Sequence, residues 1–363
     1  MSIVLFLFVL FVLILVHEWG HFIVAKKVGM RVDEFAIGFP PRLFTLKRGE
    51  TEYTFNLLPI GGFVRIFGEN PSEPAGTDDQ NRSFSARPRW AQALVLIAGV
   101  TMNIIFAWFL FAVTFMVGVP TAVDEAQATD AAELYISGVL PDSPLFTLVP
   151  SGAEVVSLTT EGAALSRLVP SEFSEFVQTH AGQELSLSIL LAGEEEKTVT
   201  VTPVTGLITE DSSRAAIGVS LALVETQQQN FIDALLSASV ATVAGLRDIT
   251  IGLGTLLAQA VRGTADFSQV AGPVGIVGMV GDAASYGITT LLTFTAMISL
   301  NLAVINMLPV PALDGGRLVF VAIEALIRRP LNPAWTIRLN LLGFALLILL
   351  MLVVTWHDIA KLL

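Results

Sequence analysis

The amino-acid sequence predicts a polytopic α-helical membrane protein with one extracytoplasmic α+β domain. Of the 363 residues, 53% are hydrophobic and 14% are charged, whereas about a quarter of an ordinary soluble domain is charged. Four stretches stay apolar over the roughly 20 residues that a transmembrane helix needs. Residues 119–287, between the second and third stretches, carry 20 Asp and Glu against 5 Lys and Arg. This acidic segment is expected to contain the domain outside the bilayer.

The four predicted transmembrane helices cover residues 2–25, 91–118, 288–310 and 335–356. The first has no basic residues before it and no A-x-A cleavage site, which indicates an uncleaved anchor rather than a signal peptide. A fifth region, residues 231–262, mixes apolar and polar residues. It is expected to form an amphipathic helix at the membrane surface rather than a span.

These segments divide the chain into four regions. Residues 133–204 contain alternating strand patterns and a short helix expected to end at Gly182, which predicts a small β-rich domain. We expect an N-terminal membrane part at 1–120, the β-rich domain at 121–225, the amphipathic helix and linker at 226–287, and a C-terminal membrane part at 288–363.

Charge counts predict how these regions are oriented. Residues 26–89 carry 10 Lys and Arg against 8 Asp and Glu. The loop expected after the third span carries three arginines, Arg317, Arg328 and Arg329. Since basic loops stay in the cytoplasm, we expect residues 26–90 and 315–334 to be cytoplasmic. Residues 119–287 and both termini would then be extracytoplasmic.

Composition also narrows the functional classes. The chain has no cysteine, which excludes disulfide bonds and cysteine-ligated metals. Its net charge of −12 disfavours a nucleic-acid partner. A membrane enzyme, a small ion transporter and a membrane scaffold remain as alternatives.

The stretch between the first and second spans contains a predicted β-hairpin. Residues 53–69, YTFNLLPIGGFVRIFGE, alternate along the strand, and Gly61-Gly62 is the turn signal. The hairpin is apolar enough to lean into the membrane. Residues 69–82 are polar and rich in turn-forming residues, which predicts a mobile loop.

The first span contains three ionisable residues in the sequence VHEWGH. His17 and His21 are four residues apart, so their imidazoles lie on the same face of a helix and can bind one ion. Glu18 is turned by about 100° from His17 and can reach a water molecule on that ion. This H-E-x-x-H pattern is a zinc metalloprotease signature, in which the carboxylate is the general base. The alternative is a motif at the membrane edge, with Glu18 solvated.

A catalytic zinc ion takes three protein ligands, so a third ligand is needed. His180 lies in the predicted β-rich domain and His357 at the outer end of the fourth span, away from the cytoplasmic end of the first span. Asp314 follows the third span in NMLPVPALDGG, beside the cytoplasmic Arg317. Asp314 is therefore the candidate third ligand.

The same motif predicts a broken helix. Pro309 and Pro311 cannot continue a helix, and non-helical backbone at membrane depth is tolerated where it lines a cavity or packs on protein. Asn306 could hydrogen-bond an extended peptide or an oxyanion. The alternative is that prolines and an Asp-Gly-Gly turn simply end the third span.

With VHEWGH in a first span and NMLPVPALDGG after a third, the chain resembles the site-2 protease family of intramembrane zinc metalloproteases. It is most similar to the bacterial regulator-of-sigma-E protease type, which has a PDZ domain between its second and third spans. The resemblance covers nearly the whole chain. It includes the segments FAIGFPPRLF, LPIGGFVRIFGE, RSFSARPRWAQALVLIAGVTMN and AGPVGIV.

The resemblance implies one zinc ion, a catalytic base and a substrate-binding region. The implied zinc ligands are His17, His21 and Asp314, and the implied base is Glu18. The implied substrate-binding residues are Asn306, Pro309 and Pro311 after the third span, and Gly61, Gly62 and Phe63 in a membrane-re-entrant hairpin. Implied substrates are single-pass membrane proteins, such as anti-sigma factors or leftover signal peptides, cleaved within the bilayer of the inner (cytoplasmic) membrane.

Two segments depart from the family pattern. AGVTMN has Val100 where proline is common, although Gly99 and Asn103 remain. LVPSGAEVV has Ala153 where aspartate is typical of the PDZ domain. The PDZ-like domain at 121–225 could therefore bind peptides or only exclude bulky substrates by size.

Overall fold

A computed structural model describes residues 1–69, 79–191, 195–207, 214–264 and 271–362. Most of the predicted loop at 69–82 lies outside the described residues. The chain divides into two compact units, Met1–Val113 with Phe231–Leu363, and Thr114–Asn230.

The elements follow one another along the described chain. The helices are α1 (Ser2–Lys27), α2 (Arg89–Val117), α3 (Pro170–Thr179), α4 (Phe231–Arg262), α5 (Pro273–Ser285), α6 (Ile288–Asn306), α7 (Asp314–Ile327) and α8 (Pro333–Leu362). The strands are β1 (Val32–Arg48), β2 (Thr51–Ile66), β3 (Val119–Val123), β4 (Glu133–Val139), β5 (Glu154–Thr160), β6 (Ala163–Ala164), β7 (Leu185–Leu190), β8 (Lys197–Val201) and β9 (Val219–Gln227).

Helices of transmembrane length dominate the first unit. Among the described residues, five helices are long and apolar enough to cross a membrane: α1, α2, α4, α6 and α8. Four of them coincide with the predicted spans, and α4 coincides with the region predicted to be an amphipathic surface helix. The protein is therefore a helical membrane protein with a β-sheet domain.

The end of the third predicted span differs from the prediction. Helix α6 ends at Asn306 instead of continuing to residue 310, since Pro309 and Pro311 cannot extend it. The cytoplasmic segment expected as a loop at 315–334 is largely helical, because α7 begins at Asp314. The apolar residues after Gly316 recur with helical spacing, which is the sequence signal for this helix.

Strands β1 and β2 form an antiparallel ribbon whose turn is Gly49-Glu50, with Arg48 opposite Thr51. The register doubles back, because residues 34–37 lie opposite both residues 52–55 and residues 62–65. The predicted hairpin was therefore wrong in its pairing: its two halves each pair with β1. The sequence EFAI, residues 34–37, supplies backbone partners on both of its edges, which a local hairpin prediction does not consider.

Gly61 lies where β2 passes from one edge of β1 to the other. Its φ of +99° is accessible mainly to glycine. A Cβ at Gly61 would also lie 3.1 Å from Cδ1 of Ile14 on α1. The glycine pair thus still marks a reversal of the chain, although the strands on its two sides are partners of β1.

A buried carboxylate joins the segments of this ribbon. Glu34 is 2% exposed, and it accepts hydrogen bonds from Thr54 Oγ1 and Arg42 Nη2, each at 2.8 Å. Arg65 Nη2 lies 3.2 Å from its second oxygen. A buried charge needs such partners, so these contacts hold β1 and both halves of β2 in register.

One face of α1 packs against the rest of the first unit. Its buried residues recur about every four positions and include Val9, Leu13, His17, His21 and Ala25. Residues with this spacing share one helix face. Both imidazoles therefore lie on the packed face of α1 and away from its exposed side.

The second unit is built on a seven-stranded antiparallel sheet. Its strand order is β3-β9-β4-β5-β7-β8, and β6 pairs with β5. Phe173 and Val177 of α3 pack into the core that covers this sheet. The helix ends at Thr179, three residues before the glycine expected to terminate it. The described residues of the second unit thus form a β-rich domain with one short helix.

Glu50 in the ribbon turn supports a prediction about acid sensitivity. Arg82 contacts both carboxylate oxygens at 2.7 and 2.8 Å, and Lys26 forms a second ion pair. Hydrogen bonds from Arg82 and Lys26 lower the pKa of Glu50 from 4.5 to about 2. A lowered pKa contributes stability above pH 4.5 that disappears as the pH falls towards 2.

We therefore expect Glu50→Gln to lower the free energy of unfolding by about 1 kcal/mol at pH 7. The difference from the wild type should vanish near pH 2. Thermal unfolding in detergent at both pH values measures it. The control is Glu161→Gln, which changes an exposed carboxylate between β5 and β6. A difference of equal size at both pH values would contradict the prediction.

Candidate active site

Helices α1 and α7 bring two imidazoles and one carboxylate together. His17 Nε2 lies 3.0 Å and His21 Nε2 3.2 Å from Oδ2 of Asp314. The two Nε2 atoms are 3.1 Å apart. These three residues form a cluster of potential metal ligands within the described part of the chain. The third residue is separated from the first by 297 positions, so only the tertiary structure joins them.

The chemistry and spacing of these atoms fit a zinc ion. Two imidazole nitrogens and a carboxylate oxygen form a donor set found in catalytic zinc sites. Bonds of about 2.0–2.1 Å in a tetrahedron place neighbouring ligand atoms about 3.3 Å apart. The observed separations of 3.0 to 3.2 Å need only a slight expansion to match that value.

Hydrogen bonds behind the imidazoles orient the rings. His21 Nδ1 lies 2.8 Å from the carbonyl oxygen of Val95. Donation of the Nδ1 proton to this carbonyl leaves the lone pair of Nε2 facing Asp314, as in most metal-ligating histidines. The ring orientation of His21 is thus set by the backbone of α2.

Asn103 has the corresponding position behind His17. Its Nδ2 is 3.3 Å from His17 Nδ1, the residue is fully buried, and its Oδ1 has no hydrogen-bond partner among the described residues. Rotating the amide by 180° would let Oδ1 accept the Nδ1 proton of His17. That orientation satisfies the buried oxygen and directs the Nε2 lone pair at Asp314.

Two glycines allow α1 and α2 to approach closely beside the site. A Cβ at Gly20 would lie 2.4 Å from the carbonyl oxygen of Ala98. A Cβ at Gly99 would lie 2.4 Å from His21 Nε2 and 2.8 Å from His17 Cε1. Gly99 therefore provides the space that the two imidazoles occupy.

The glycines that follow Asp314 place its carboxylate. A Cβ at Gly315 would lie 2.2 Å from the carbonyl oxygen of Met307, and one at Gly316 would lie 2.1 Å from that of Val310. Only glycine lets the turn after α6 pack so closely on the first turn of α7. This packing sets Asp314 at the start of α7, opposite the imidazoles.

Glu18 faces the same cavity as the three potential ligands. The cavity has a volume of about 190 Å³, and Phe63, Glu69 and Arg317 also contribute to its lining. Glu18 Oε2 accepts a hydrogen bond from the backbone N–H of Val64 at 3.0 Å. The ribbon therefore contacts the site through the edge of β2.

The structure distributes the remaining predicted residues more widely. Phe63 lines the cavity. The other five predicted substrate-binding residues are not among the residues that line it: Asn306, Pro309, Pro311, Gly61 and Gly62. Pro311 packs on α8, where a Cβ at Gly343 would lie 2.1 Å from its carbonyl oxygen. His180 lies in the second unit, where its Nδ1 is 2.8 Å from the carbonyl oxygen of Phe176.

Sequence reasoning assigned no role to Val95, Gly99 and Asn103. They are spaced four residues apart on α2, so they share one helix face, and that face contacts both imidazoles. The spacing is a signal that could have been used. The spacing alone does not show that this face of α2 packs against α1 at the histidines.

A cluster of two histidines and an aspartate beside a glutamate, in a chain with helices long and apolar enough to cross a membrane, is the kind of site expected of a membrane metallopeptidase. The model of peptidase family M50 matches residues 5–350. The chain belongs to this family. The resemblance to the site-2 proteases is thereby confirmed, and family membership favours a peptidase over the transporter and scaffold alternatives.

Individual relatives agree with this assignment. The chain is 36% identical to a protein of Clostridium perfringens (strain 13 / Type A) whose name places it among zinc metalloproteases, over 96% of this chain and 95% of that protein. It is 30% identical to the zinc metalloprotease RasP of Oceanobacillus iheyensis and 28% identical to the regulator of sigma-W protease RasP of Bacillus subtilis (strain 168). Both alignments cover 99% of each chain. The protein is a zinc metallopeptidase, and zinc is its cofactor.

The space at Gly99 leads to a prediction about metal binding. Gly99→Ala would insert a methyl group between the imidazoles, so we expect the zinc affinity to fall at least tenfold, as for other changes next to metal ligands. The zinc content of purified protein, measured by mass spectrometry, checks this. The control is Gly252→Ala on α4, where a Cβ would have no described atom within 4 Å. Unchanged zinc content in Gly99→Ala would show that the rings can move aside.

Proposed function

We propose that His17, His21 and Asp314 hold the zinc ion, and that Glu18 is the general base of an intramembrane endopeptidase. The convergence of Nε2, Nε2 and Oδ2 within 3.2 Å carries this proposal. These atoms lie among apolar helices, and an unpaired charge at the middle of a membrane costs about 2.5–3.5 kcal/mol. A shared divalent ion offsets that cost.

The geometry gives Glu18 its role in the reaction. When bound, zinc polarises a carbonyl group and lowers the pKa of a water molecule to about 7. The N–H of Val64 holds Oε2 of Glu18 at 3.0 Å, which leaves Oε1 free to accept a proton. Glu18 would take the proton from the attacking water and deliver it to the leaving amine. The hydrogen bond from Val64 keeps the carboxylate turned into the cavity.

The ribbon supports a way of binding the substrate. A peptide bond in a transmembrane helix is shielded, so the segment must unwind, and its backbone groups then need partners that lipid cannot supply. Strand addition supplies them. We infer that the β2 edge with Phe63 receives the unwound segment, that Gly61 and Gly62 shape this edge, and that Asn306, Pro309 and Pro311 confine the segment on the other side.

The substrates proposed are single-pass membrane proteins, such as anti-sigma factors or leftover signal peptides. The name of the Bacillus subtilis relative, regulator of sigma-W protease, supports a regulatory substrate. The lipid bilayer would be the second partner, since it holds substrate and enzyme in the same plane. We place the protein in the inner (cytoplasmic) membrane, as a multi-pass protein whose active site lies towards the cytoplasmic side.

We propose four transmembrane helices, α1, α2, α6 and α8, and an interfacial α4. Length and composition allow α4 to cross a membrane. Its midpoint, however, carries an ion pair at 2.8 Å between Arg247 and Asp248, whose side chains are 67% and 61% exposed. A single unpaired charge in lipid would cost about 2.5–3.5 kcal/mol, and pairing lowers this cost without restoring the lost hydration. At an interface both charges remain solvated, which favours that location.

The proposed domains keep the boundaries 1–120, 121–225, 226–287 and 288–363. We infer that residues 121–225 form an extracytoplasmic PDZ-like domain, which the antiparallel sheet and the single short helix of the second unit support. This domain would bind peptides or limit the size of substrate ectodomains.

The proposed base leads to a direct test. Glu18→Gln should lower cleavage of a single-pass test substrate in detergent by at least a hundredfold, because it removes the proton acceptor. Its zinc content should equal that of the wild type. His21→Ala and Asp314→Ala should instead lose both zinc and activity. Cleavage by Glu18→Gln at the wild-type rate would refute the assignment of the base.

Single cysteines test the proposed topology, since the chain has no other cysteine. An impermeant maleimide should label Glu161→Cys in intact cells, and Lys47→Cys only after permeabilisation. Arg247→Cys should react from outside if α4 lies at the interface. Lack of reaction at Arg247→Cys under both conditions would place this residue inside the bilayer and would support a fifth span.

A further inference from the structure

Two carboxylates occupy the edge of β2 that faces the active-site cavity. The N–H of Val64 donates to Glu18 Oε2 at 3.0 Å, and the N–H of Ile66 donates to Glu69 Oε2 at 3.3 Å. The N–H of Phe67 points the other way, to the carbonyl oxygen of Arg31 at 2.9 Å. N–H groups alternate in direction along a strand of an antiparallel pair, so Val64 and Ile66 both face away from β1. Side chains of the protein therefore take both donors. The Val64 N–H stays with Glu18 in the proposed mechanism, and the Ile66 N–H is the donor that an added strand would use.

Glu69 is held in this position by a second contact. Its Oε1 accepts a hydrogen bond from Nη1 of Arg317, with which it forms an ion pair. Arg317 lies on α7, three residues after the proposed zinc ligand Asp314. Both side chains of the pair line the cavity, and they are 19% and 28% exposed. The pair thus connects the end of the β2 edge to the helix that carries Asp314.

We propose that Glu69 and Arg317 form a latch that substrate must open. In the latch, the Glu69 carboxylate takes the Ile66 N–H that a substrate strand needs, and Arg317 holds the carboxylate there. The proposal rests on the proposed binding of substrate at the β2 edge. A substrate carbonyl oxygen would replace Oε2 of Glu69, and the carboxylate would leave the edge.

The latch would select for unwound substrate. A carbonyl group in a helix is already engaged by the N–H four residues later, so it cannot replace the carboxylate of Glu69. A segment with free carbonyl groups can do so. The latch also caps an open strand edge, which would otherwise be available for pairing with other chains. It would therefore weaken binding of intact helices while leaving the chemical step unaltered.

Removing the charge of Glu69 tests the proposal. Glu69→Gln keeps the shape and an acceptor oxygen but loses the ion pair, so the latch should open more easily. We expect the KM for a test substrate with one apolar segment of about 20 residues to fall about three- to tenfold. The zinc content should remain that of the wild type. An unchanged or raised KM at full zinc content would overturn the latch.

Arg317→Gln breaks the same ion pair from the other side. Its KM should fall by a similar factor, and the double variant should show no further decrease, because both changes remove one interaction. This second variant keeps the test open if Glu69→Gln does not fold. Additive decreases in KM would show that the two residues act separately and would overturn the proposal.

Glu324 lies on α7, the helix that carries Arg317, and offers a matched control. It accepts the N–H of Leu331 at 2.9 Å and pairs with Arg89 at 2.8 Å, and its side chain is 17% exposed. It does not line the active-site cavity. Glu324→Gln should leave KM unchanged. An equal decrease in KM would mean that any loosening of α7 favours binding, which would overturn the specific role of Glu69.

A binding measurement separates this proposal from the proposed function. In the Glu18→Gln background, Glu69→Gln should tighten binding of the fluorescent test substrate by the same three- to tenfold, measured by anisotropy. If the wild type cleaves the substrate and Glu69→Gln leaves the Kd unchanged, the latch is rejected and the proposed function is not. Equal cleavage by wild type and Glu18→Gln would reject the proposed function, whatever Glu69→Gln does to binding.

Discussion

The contact between the Asp314 carboxylate and the imidazoles of His17 and His21 is the constraint on which the rest of the membrane unit depends. The three potential ligand atoms lie within 3.2 Å of one another, although each ionisable group is unfavourable among apolar helices. The neighbouring structure is arranged to make this contact possible. Gly99 clears the space, the backbone of α2 orients His21, and the glycines after Asp314 close the turn that delivers the carboxylate.

The β-ribbon depends on the same site. The N–H of Val64, on the edge of β2, donates a hydrogen bond to Glu18. Just after β2, Glu69 pairs with Arg317 of α7. The buried Glu34 holds the doubled-back register of the ribbon, so the edge is presented as a fixed element. In the proposed mode of binding, this fixed edge is the partner of the unwound substrate backbone, because lipid offers no hydrogen bonds.

Differences between expectation and structure come from pairings that local patterns do not record. The alternation around Gly61 correctly predicted strands, but residues 34–37 pair with both halves of the expected hairpin. The segment after Asp314 was expected as a loop between two spans, yet it is largely helical, and the glycines that follow Asp314 are needed for close packing at the start of α7. In both places the glycines are needed, because a side chain there would collide with a neighbouring segment of the chain.

The sequence by itself determined the apolar helices and the pairing of His17 with His21, because helical periodicity is a property of the backbone that holds in any surroundings. It also indicated the family, and it singled out Asp314 by its place after the third apolar segment. Only the tertiary structure decided that this carboxylate meets the imidazoles, that Gly99 and Asn103 lie behind them, and that Glu69 covers the strand edge. These contacts join residues far apart in the chain, and their proximity follows from how helices and strands pack.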